Sequence, residues 1–386
     1  MKGGLLVRGL LAVLMFYLAL HVAVVFNTLF DWRQTIVATE YGHWLALICV
    51  ALFIPGMRRK EWQARGASLL LVVAGVWFSW PLLQAMKVAH ELPEKMASAL
   101  GGQGVTVSPP DLGEVWHWQQ EIQKPPQEFS YFDGPGEPRH ILFYAADNRK
   151  PAPCLVVLHG GGWQSGSPSE FSEWNNHWAS LGYAVACVEY RLAPRHTWPA
   201  QLEDTRLALA WLKQNAQLLG IDTTSFVIMG RSAGGQIALA SAYGLKDPSI
   251  KGCIAIYAPA DMSFARRFAY EDDILNSLKL LRQYLGGDPE QVGENYRTSS
   301  GYGLATSQSC PTLLIHGSRD VLVWDVQSLR LAERLQSLGV KHYCLKLPWA
   351  THGCDWPFHG PSAVLSRYAI EGFLKGTLHP AAPPDA

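Results

Sequence analysis

The sequence has few charged residues and no excess of either sign. Asp, Glu, Lys and Arg make up 17% of the 386 residues, and 32 basic residues balance 32 acidic ones. Nucleic-acid binding needs concentrated Lys and Arg to neutralise phosphates. Because there is no basic stripe, we expect no nucleic-acid partner.

The sequence also lacks a cysteine pattern that could bind a metal. None of its seven cysteines stands in a C-x-x-C pair, and we expect neither a metal nor another cofactor. A disulfide between Cys344 and Cys354 remains open, since both flank His352 and the domain is predicted below to face an oxidising space. However, Cys344 lies in a predicted strand, where cysteine behaves as a small buried apolar residue.

Charges are almost absent from three apolar segments near the start of the chain, Leu10–Phe30, Ile36–Ile54 and Ala67–Met86. Each is close to the roughly 20 residues that a helix needs to cross a bilayer. A signal peptide followed by core helices is the alternative, but a cleaved signal is shorter and is not followed by two more apolar runs. The sequence predicts a membrane anchor over residues 1–89, in which Glu40 must lie at a rim or find a partner.

Basic residues form two clusters around these segments. Two precede the first segment, and four separate the second from the third: Lys2, Arg8, Arg58, Arg59, Lys60 and Arg65. Because basic loops stay in the cytoplasm, both clusters should lie there. We therefore expect a multi-pass membrane protein with everything after Met86 on the periplasmic or extracellular face.

The rest of the chain divides into a linker, a domain and a tail. Residues 90–126 contain "GGQG", "SPP" and "KPP" around a helical candidate at 112–122, which indicates a linker or cover segment. Over residues 127–377, apolar runs such as "CLVVLHG", "SFVIMG" and "PTLLIHG" are near-continuous, as in strands buried on both faces. Helix candidates at 202–218, 233–243, 326–338 and 361–374 separate many of them. This order predicts an α/β fold with a largely parallel sheet and helices on both faces, followed by a tail at 378–386.

One strand runs directly into the pentapeptide "GRSAG", Gly230–Gly234. A G-x-S-x-G turn between a strand and a helix strains the serine backbone, so that its hydroxyl projects from the edge of the sheet. Ligands bind at that edge in open α/β sheets. The motif predicts Ser232 as a nucleophile.

Three further motifs follow other predicted strands. In "HGGGW", His159–Trp163, consecutive glycines let backbone N–H groups approach a ligand oxygen. "HGSRD" carries Asp320, and "THG" carries His352. A serine needs a base to accept its proton, and the base needs an acid to orient it. We therefore predict Ser232, Asp320 and His352 as nucleophile, acid and base.

Together these motifs resemble the α/β-hydrolase family. Residues from about 129 to 374 are similar to bacterial feruloyl-esterase-like and hormone-sensitive-lipase-like esterases, through "HGGGW", "EYRLAP", "PAQLED", "GRSAGG" and "LLIHGSRD". Relatives of hormone-sensitive lipase usually have aspartate before the nucleophile, whereas this chain has Arg231, which favours the feruloyl-esterase-like branch. The apolar N-terminal segments belong to neither pattern and resemble an added anchor.

The resemblance implies a role for each matching residue. Gly161, Gly162 and Ala233 would donate their backbone N–H groups to an oxyanion. His352 would take the proton of Ser232 and return it to the leaving alcohol. Asp320 would fix the tautomer of His352.

Several neighbouring residues are alternatives for these roles. His159 and His316 precede glycine at strand ends and are expected to serve in turns. His359 is a rival base, but it lies further from the last strand than His352. Asp325 is the alternative acid, although its place before the helix at 326 favours a capping role.

Three tryptophans stand beside the motifs: Trp163, Trp349 and Trp356. They are candidates for walls of an acyl or alcohol pocket, and ordinary core packing is the alternative for each. The sequence predicts a membrane-anchored serine carboxylesterase acting on a small or medium acyl ester. An acyltransferase or peptidase on the same triad, and a non-catalytic membrane-bound binding protein, remain alternatives.

Overall fold

The computed structural model describes residues 2–56, 59, 61–101, 108–117, 123–132, 134, 137–147 and 151–378. Arg58 and Lys60 of the predicted basic loop lie outside these residues, as do 118–122 of the short helical candidate and 379–386 of the tail. The described part of the chain consists of a group of N-terminal helices and an α/β domain.

The N-terminal helices are α1 (Lys2–Ala23), α2 (Leu29–Glu40), α3 (Gly42–Phe53) and α4 (Trp62–Leu100). α1 and α3 pack against the first half of α4 through small and apolar side chains. α3 and α4 approach so closely at Gly42 that a side chain there would collide with the backbone of Phe78. By length and composition, α1 and α4 could each cross a membrane, and α2 with α3 could form a third, bent span.

The second predicted segment is not one helix. α2 and α3 meet at an angle of 78° around Tyr41. The physical reason is the partner of Glu40, which accepts hydrogen bonds from the backbone N–H and the hydroxyl of Ser362. These bonds hold α2 against the α/β domain, while α3 turns away along α4.

The third predicted segment is the first part of a longer helix. α4 continues without a break to Leu100, although it contains Pro81 and Pro93. Its second half packs on the α/β domain through Ala89, Leu92 and Met96. The expected boundary at residue 89 therefore falls inside a helix, and the first eleven residues of the predicted linker are helical. A short 3₁₀ helix, Leu112–Trp116, lies within the helical candidate at 112–122.

Eight strands form one sheet in the described part of the chain. They are β1 (Gln127–Phe132), β2 (Arg139–Tyr144), β3 (Ala152–Leu158), β4 (Ala184–Val188), β5 (Ile221–Arg231), β6 (Ile250–Ile256), β7 (Thr312–Gly317) and β8 (His342–Leu347). Their order is β1-β2-β4-β3-β5-β6-β7-β8. β1 and β2 form an antiparallel edge, and the other six strands are parallel. The predicted α/β-hydrolase fold is confirmed, whereas the polar edge strand β1 was missing from the prediction because it has no continuous apolar run.

Helices cover both faces of this sheet. They are α5 (Ser172–Ser180), α6 (Ala200–Gln214), α7 (Ala216–Leu219), α8 (Ala233–Gly244), α9 (Met262–Phe268), α10 (Ser277–Leu285), α11 (Pro289–Thr298), α12 (Gly301–Leu304), α13 (Val326–Ser337) and α14 (Pro361–Leu378). Val156 and Ile228 face a core shared with α6, α8 and α13. Leu155 and Val227 face the opposite core, shared with α4, α5 and α14. The parallel strands therefore bury both faces, as their apolar runs predicted.

Candidate active site

Ser232 lies at the sharp turn between β5 and α8. Its backbone has φ +54° and ψ −121°, in a region that side-chain-bearing residues rarely adopt. A side chain at Gly234 would collide with the carbonyl oxygens of Leu158 and His159, and one at Gly230 would collide with the backbone of Gly234. The two glycines let the turn pack tightly against the end of β3.

Ser232, His352 and Asp320 form a continuous hydrogen-bonded line. The Ser232 Oγ lies 2.9 Å from Nε2 of His352. Nδ1 of the same ring lies 2.7 Å from Oδ2 of Asp320. All three residues follow parallel strands, whose carboxyl ends meet at one edge of the sheet. In this arrangement the imidazole can accept the serine proton while the carboxylate holds it in the required tautomer.

The carboxylate of Asp320 is buried but well satisfied. Its Oδ1 accepts hydrogen bonds from the backbone N–H groups of Leu322 and Val323, at 2.9 and 2.8 Å. Burial alone would raise the pKa of Asp320, but the charge of His352 and hydrogen bonds from His316 and His352 outweigh it and lower this pKa to about 2. The surroundings of Asp320 therefore favour its ionised form.

Two of the three predicted oxyanion donors lie beside the same hydroxyl, and Gly161 directly precedes Gly162 in the loop after β3. Gly161 and Gly162 have positive φ angles of 108° and 58°, so the loop after β3 needs glycine there. Gly162 and Ala233 line a cavity together with Ser232. Because Ala233 opens α8, its N–H has no partner within the helix and is free to face a ligand oxygen.

The cavity beside Ser232 has a volume of about 450 Å³. Of the three predicted wall tryptophans, Trp163 lines it, and its ring stacks on Tyr284 at 4.2 Å. Trp349 lies instead in the core between the sheet and α14, and Trp356 is 70% exposed outside the cavity lining. These two tryptophans were predicted as pocket walls because they stand beside a motif in the sequence. The loop after β8 directs both side chains away from the cavity.

Other walls of the cavity come from two regions that the sequence analysis did not associate with the site. The segment around α9 and α10 contributes apolar side chains, including Phe264, Phe268 and Leu280. The connection between α1 and α2 contributes Val25 and Asn27. The amphipathic pattern of α10 could have revealed the first region, but no pattern in the sequence links residues 25 and 27 to Ser232.

The loop that follows β8 and carries His352 is supported from inside the α/β domain by a buried ion pair. Nε of Arg231 donates to Asp355 at 2.5 Å, and the hydroxyl of Tyr257 donates to the other oxygen of that carboxylate at 2.6 Å. The ring of Tyr257 also packs against that of His352, at 4.4 Å. Arg231, the residue that departs from the aspartate of hormone-sensitive-lipase relatives, thus connects the nucleophile turn to this loop.

The same loop is supported from outside by α2. Nε1 of Trp32 donates to the backbone carbonyl of His352 at 2.8 Å, and the ring of Trp32 lies against Gly353. Next to Asp320, the guanidinium of Arg319 donates to the carbonyl oxygens of Val22 and Val24. The N-terminal helices therefore contact the residues on both sides of the His352–Asp320 pair.

The alternative bases lie outside the line from Ser232 to Asp320. His159 stacks on Tyr190 at 4.1 Å, and its burial lowers its pKa to about 4. His316 supports Asp320 from the side, with Nε2 at 3.3 Å from the carboxylate. His359 packs against Phe358 and His117.

Asp325 has a different role from the one expected. It precedes α13, but its side chain makes no capping hydrogen bond and instead pairs with Lys346 at 3.1 Å.

Cys344 and Cys354 are both free thiols. Within the described ranges, no group of three or more His, Cys, Asp or Glu side chains could hold a metal ion.

The chain is similar to known esterases. Residues 142–335 match the BD-FAE family. Esterase LipC of Mycobacterium tuberculosis is 26% identical over 343 residues, which cover 81% of this chain and 83% of LipC. An ethyl acetate hydrolase of Pseudomonas putida is 30% identical over 213 residues, covering 52% of this chain and 65% of that protein.

Solved esterase structures share the fold. A hyperthermophilic esterase from the archaeon Pyrobaculum calidifontis superposes with a TM-score of 0.57 at 24% identity, over 76% of this chain and 97% of the esterase. A carboxyl esterase of the fungus Tuber melanosporum superposes with the same TM-score at 23% identity, over 68% of this chain and 90% of its own. At this level of identity the two structures support the fold alone.

Proposed function

Because the chain belongs to the BD-FAE family and is a carboxylic ester hydrolase, we propose that it is a membrane-anchored serine carboxylesterase that cleaves a small or medium acyl ester through an acyl-enzyme on Ser232. The observation that carries the proposal is the line of hydrogen bonds from Ser232 through His352 to Asp320, at 2.9 and 2.7 Å. The line ends at a cavity large enough for a small ester.

The proposed reaction has two halves. Oγ of Ser232 attacks the acyl carbon while Nε2 of His352 takes its proton, and Asp320 stabilises the imidazolium that forms. The N–H groups of Gly161, Gly162 and Ala233 stabilise the oxyanion, each by about 3 kcal/mol. The alcohol leaves with the proton from His352, and a water molecule activated by the same ring then releases the acid and restores Ser232.

The membrane anchor is supported by the surface of the N-terminal helices. Outward-facing residues of α1, α3 and α4 are large and apolar, among them Leu10, Leu14, Ile48, Val72 and Val76. So many exposed large apolar side chains on these helices are unfavourable in water and suit contact with lipid. We propose that α1 and the first half of α4 cross the membrane, and that α2 and α3 together form the third, bent span, with α2 at the end next to the α/β domain.

The proposed orientation places the α/β domain outside the cytoplasm. Arg8 bonds to the carbonyl oxygens of Leu52 and Ala64, which groups the basic end of α1 with the ends of α3 and α4 that flank the basic loop. Basic residues favour the cytoplasmic side. The opposite end of α1 contacts the α/β domain through Arg319.

We propose residues 1–89 as the anchor, 127–377 as the catalytic domain and 90–126 as a connection that begins within α4.

Ser232→Ala tests the nucleophile. The variant should keep the fold, lose hydrolysis of p-nitrophenyl butyrate and lose labelling by a fluorophosphonate probe, which reacts with activated serines. If purified Ser232→Ala retained most of the wild-type rate, the assignment would be wrong. A panel of p-nitrophenyl esters of increasing acyl length would then define the preferred acyl group.

Protease accessibility tests the orientation. Protease added to intact cells or spheroplasts should digest the α/β domain, and a cytoplasmic protein in the same sample should stay intact. Complete protection of the domain until the membrane is opened with detergent would contradict the proposed topology.

A further inference from the structure

The rim of the cavity is formed partly by the connection that directly follows α1, a proposed membrane helix. α1 ends at Ala23, and Val25, two residues later, already lines the cavity. The exposed Tyr17 of α1 belongs to the part of the helix that is proposed to contact lipid. At a rise of 1.5 Å per residue, it lies only about 9 Å along the helix axis from Ala23. The opening to Ser232 is therefore close to the surface of the proposed membrane.

This arrangement is held by specific contacts. Arg319, beside Asp320, donates to the carbonyl oxygens of Val22 and Val24 at the end of α1. Trp32, at the start of α2, donates to the carbonyl oxygen of His352. Both ends of the connection that contains Val25 are thus attached to catalytic loops, so the position of the rim relative to α1 is fixed.

A second part of the rim contains exposed aromatic side chains. Phe268, Tyr270 and Trp324 line the cavity and are each about half exposed. Phe268 packs between Phe264 and Trp324, with ring centroids 4.7 and 5.7 Å apart. Tyr and Trp favour the boundary between lipid and water. On the side next to α1, the half-exposed Val25 makes the rim apolar, whereas Asn27, Asp272 and Asp273 are polar members of the lining.

The size of the cavity limits how much of a substrate can enter. At about 450 Å³ it lies near the lower end of small-molecule sites and would enclose a small acyl group with its ester bond, but not a whole lipid. The rest of such a substrate would have to remain outside the opening, next to the end of α1 and the proposed membrane surface.

From these observations, and resting on the proposed function, we infer that the substrate is the ester of a small acyl group with a membrane-resident lipid alcohol, which reaches Ser232 laterally from the bilayer past Val25. The acyl group is transferred to Ser232 and then to water, and the lipid alcohol returns to the membrane with the proton from His352.

Two butyrate esters with different alcohols test this inference. The full chain is reconstituted in nanodiscs and given either soluble p-nitrophenyl butyrate or 1-O-hexadecyl-2-butyrylglycerol, whose only ester is the butyryl one. Released butyrate is measured. The acyl-enzyme is the same in both cases, so the comparison reports on access of the alcohol. We expect the lipid ester in the same disc to be cleaved at least tenfold faster than the same ester supplied in separate vesicles.

Val25→Glu places a charge on the apolar side of the rim, next to α1. It should lower the rate on the lipid ester at least tenfold more than the rate on p-nitrophenyl butyrate. The matched control is Leu218→Glu, on a side chain that is 73% exposed on α7 and outside the cavity lining. The control should leave the ratio of the two rates unchanged.

The outcomes separate the two proposals. Cleavage of p-nitrophenyl butyrate without cleavage of the lipid ester in the same disc would overturn the inferred substrate and leave the esterase proposal standing. Equal rates for lipid in the same disc and in separate vesicles would overturn lateral entry. Failure on both esters by protein that is folded would overturn the proposed function and, with it, the inference.

Discussion

The loop that carries His352 is supported by two regions of very different origin. On the inner side, Asp355 of this loop pairs with Arg231 and Tyr257 of the α/β domain. On the outer side, Trp32 of α2 donates to the backbone of His352, and Glu40 of α2 accepts from Ser362 at the start of α14. The inner support is a buried ion pair, and the outer one consists mainly of hydrogen bonds to backbone groups.

The difference shows that the N-terminal helices are part of the active-site structure. A simple anchor could be joined to an enzyme by one flexible linker. Here α1, α2 and α4 all contact the α/β domain, and two of their contacts reach the residues next to Asp320 and His352. The packing of the N-terminal helices and the catalytic geometry are therefore coupled in this chain.

The largest loss of turnover is expected from a change to Asp320, which bonds to the ring of His352. The hydrogen bond from α2 reaches only the backbone of that residue. Asp320→Asn would favour the tautomer that cannot accept the Ser232 proton, and turnover of p-nitrophenyl butyrate should fall about 10⁴-fold. Asp325→Asn is the control, because Asp325 pairs with Lys346 and not with His352. Circular dichroism checks the fold of both variants. If Asp325→Asn were the more damaging change, Asp320 would not be the orienting acid.

The inner support should matter mainly for stability. Asp355→Asn would leave the buried guanidinium of Arg231 without a counter-charge, which costs about 3–5 kcal/mol in the free energy of unfolding. Denaturant unfolding measures the loss, and turnover should fall with it because the loop shifts. Glu203→Gln, in an exposed pair with Arg191, is the control and should have far less effect. A loss below about 1 kcal/mol for Asp355→Asn would show that the pair does not hold the loop.

The outer support should have a smaller effect, mainly on turnover. Trp32→Phe keeps a ring against Gly353 but removes the N–H that bonds to His352, at a cost of about 1 kcal/mol. We expect kcat for p-nitrophenyl butyrate to fall several-fold at unchanged KM, because the base is displaced and the cavity is not. Trp62→Phe, at a site that is 78% exposed at the start of α4, is the control. An unchanged kcat for Trp32→Phe would mean that α2 does not position His352.

The smallest expected effect is a change in the pH dependence of stability, and it comes from His177. His177 packs on Phe358 of the His352 loop, and burial, followed by the charge of Arg367, lowers its pKa to about 4. Between pH 6.5 and 4 the unfolded chain therefore binds a proton that the folded chain does not, so stability falls as the pH falls.

His177→Gln removes this contribution. On lowering the pH from 6.5 to 5, its Tm should fall about 1–2 °C less than that of the wild type, the shift that about 1 kcal/mol produces in a protein of this size. Identical pH dependence in the two proteins would show that His177 is not kept neutral by burial.

Much of the fold and the centre of the site could be predicted because their signals are local. A strand buried on both faces must be apolar throughout, and the parallel strands of the sheet were recognised in this way. The turn at Ser232 needs glycine at positions 230 and 234 for steric reasons that act within a few residues. Parallel strands also end at the same edge, which is why Asp320 and His352, each just beyond a strand, were expected beside Ser232 and lie there.

The tertiary structure alone decided what surrounds that centre. The contact of Trp32 with His352 joins residues 320 positions apart, and the pair of Arg231 with Asp355 joins residues 124 positions apart. The break between α2 and α3, the place of Val25 in the cavity wall and the absence of Trp349 and Trp356 from it have the same origin. A local pattern shows which residues prefer to be buried or to turn, but the partner that satisfies a buried indole or carboxylate is chosen only when distant segments pack together.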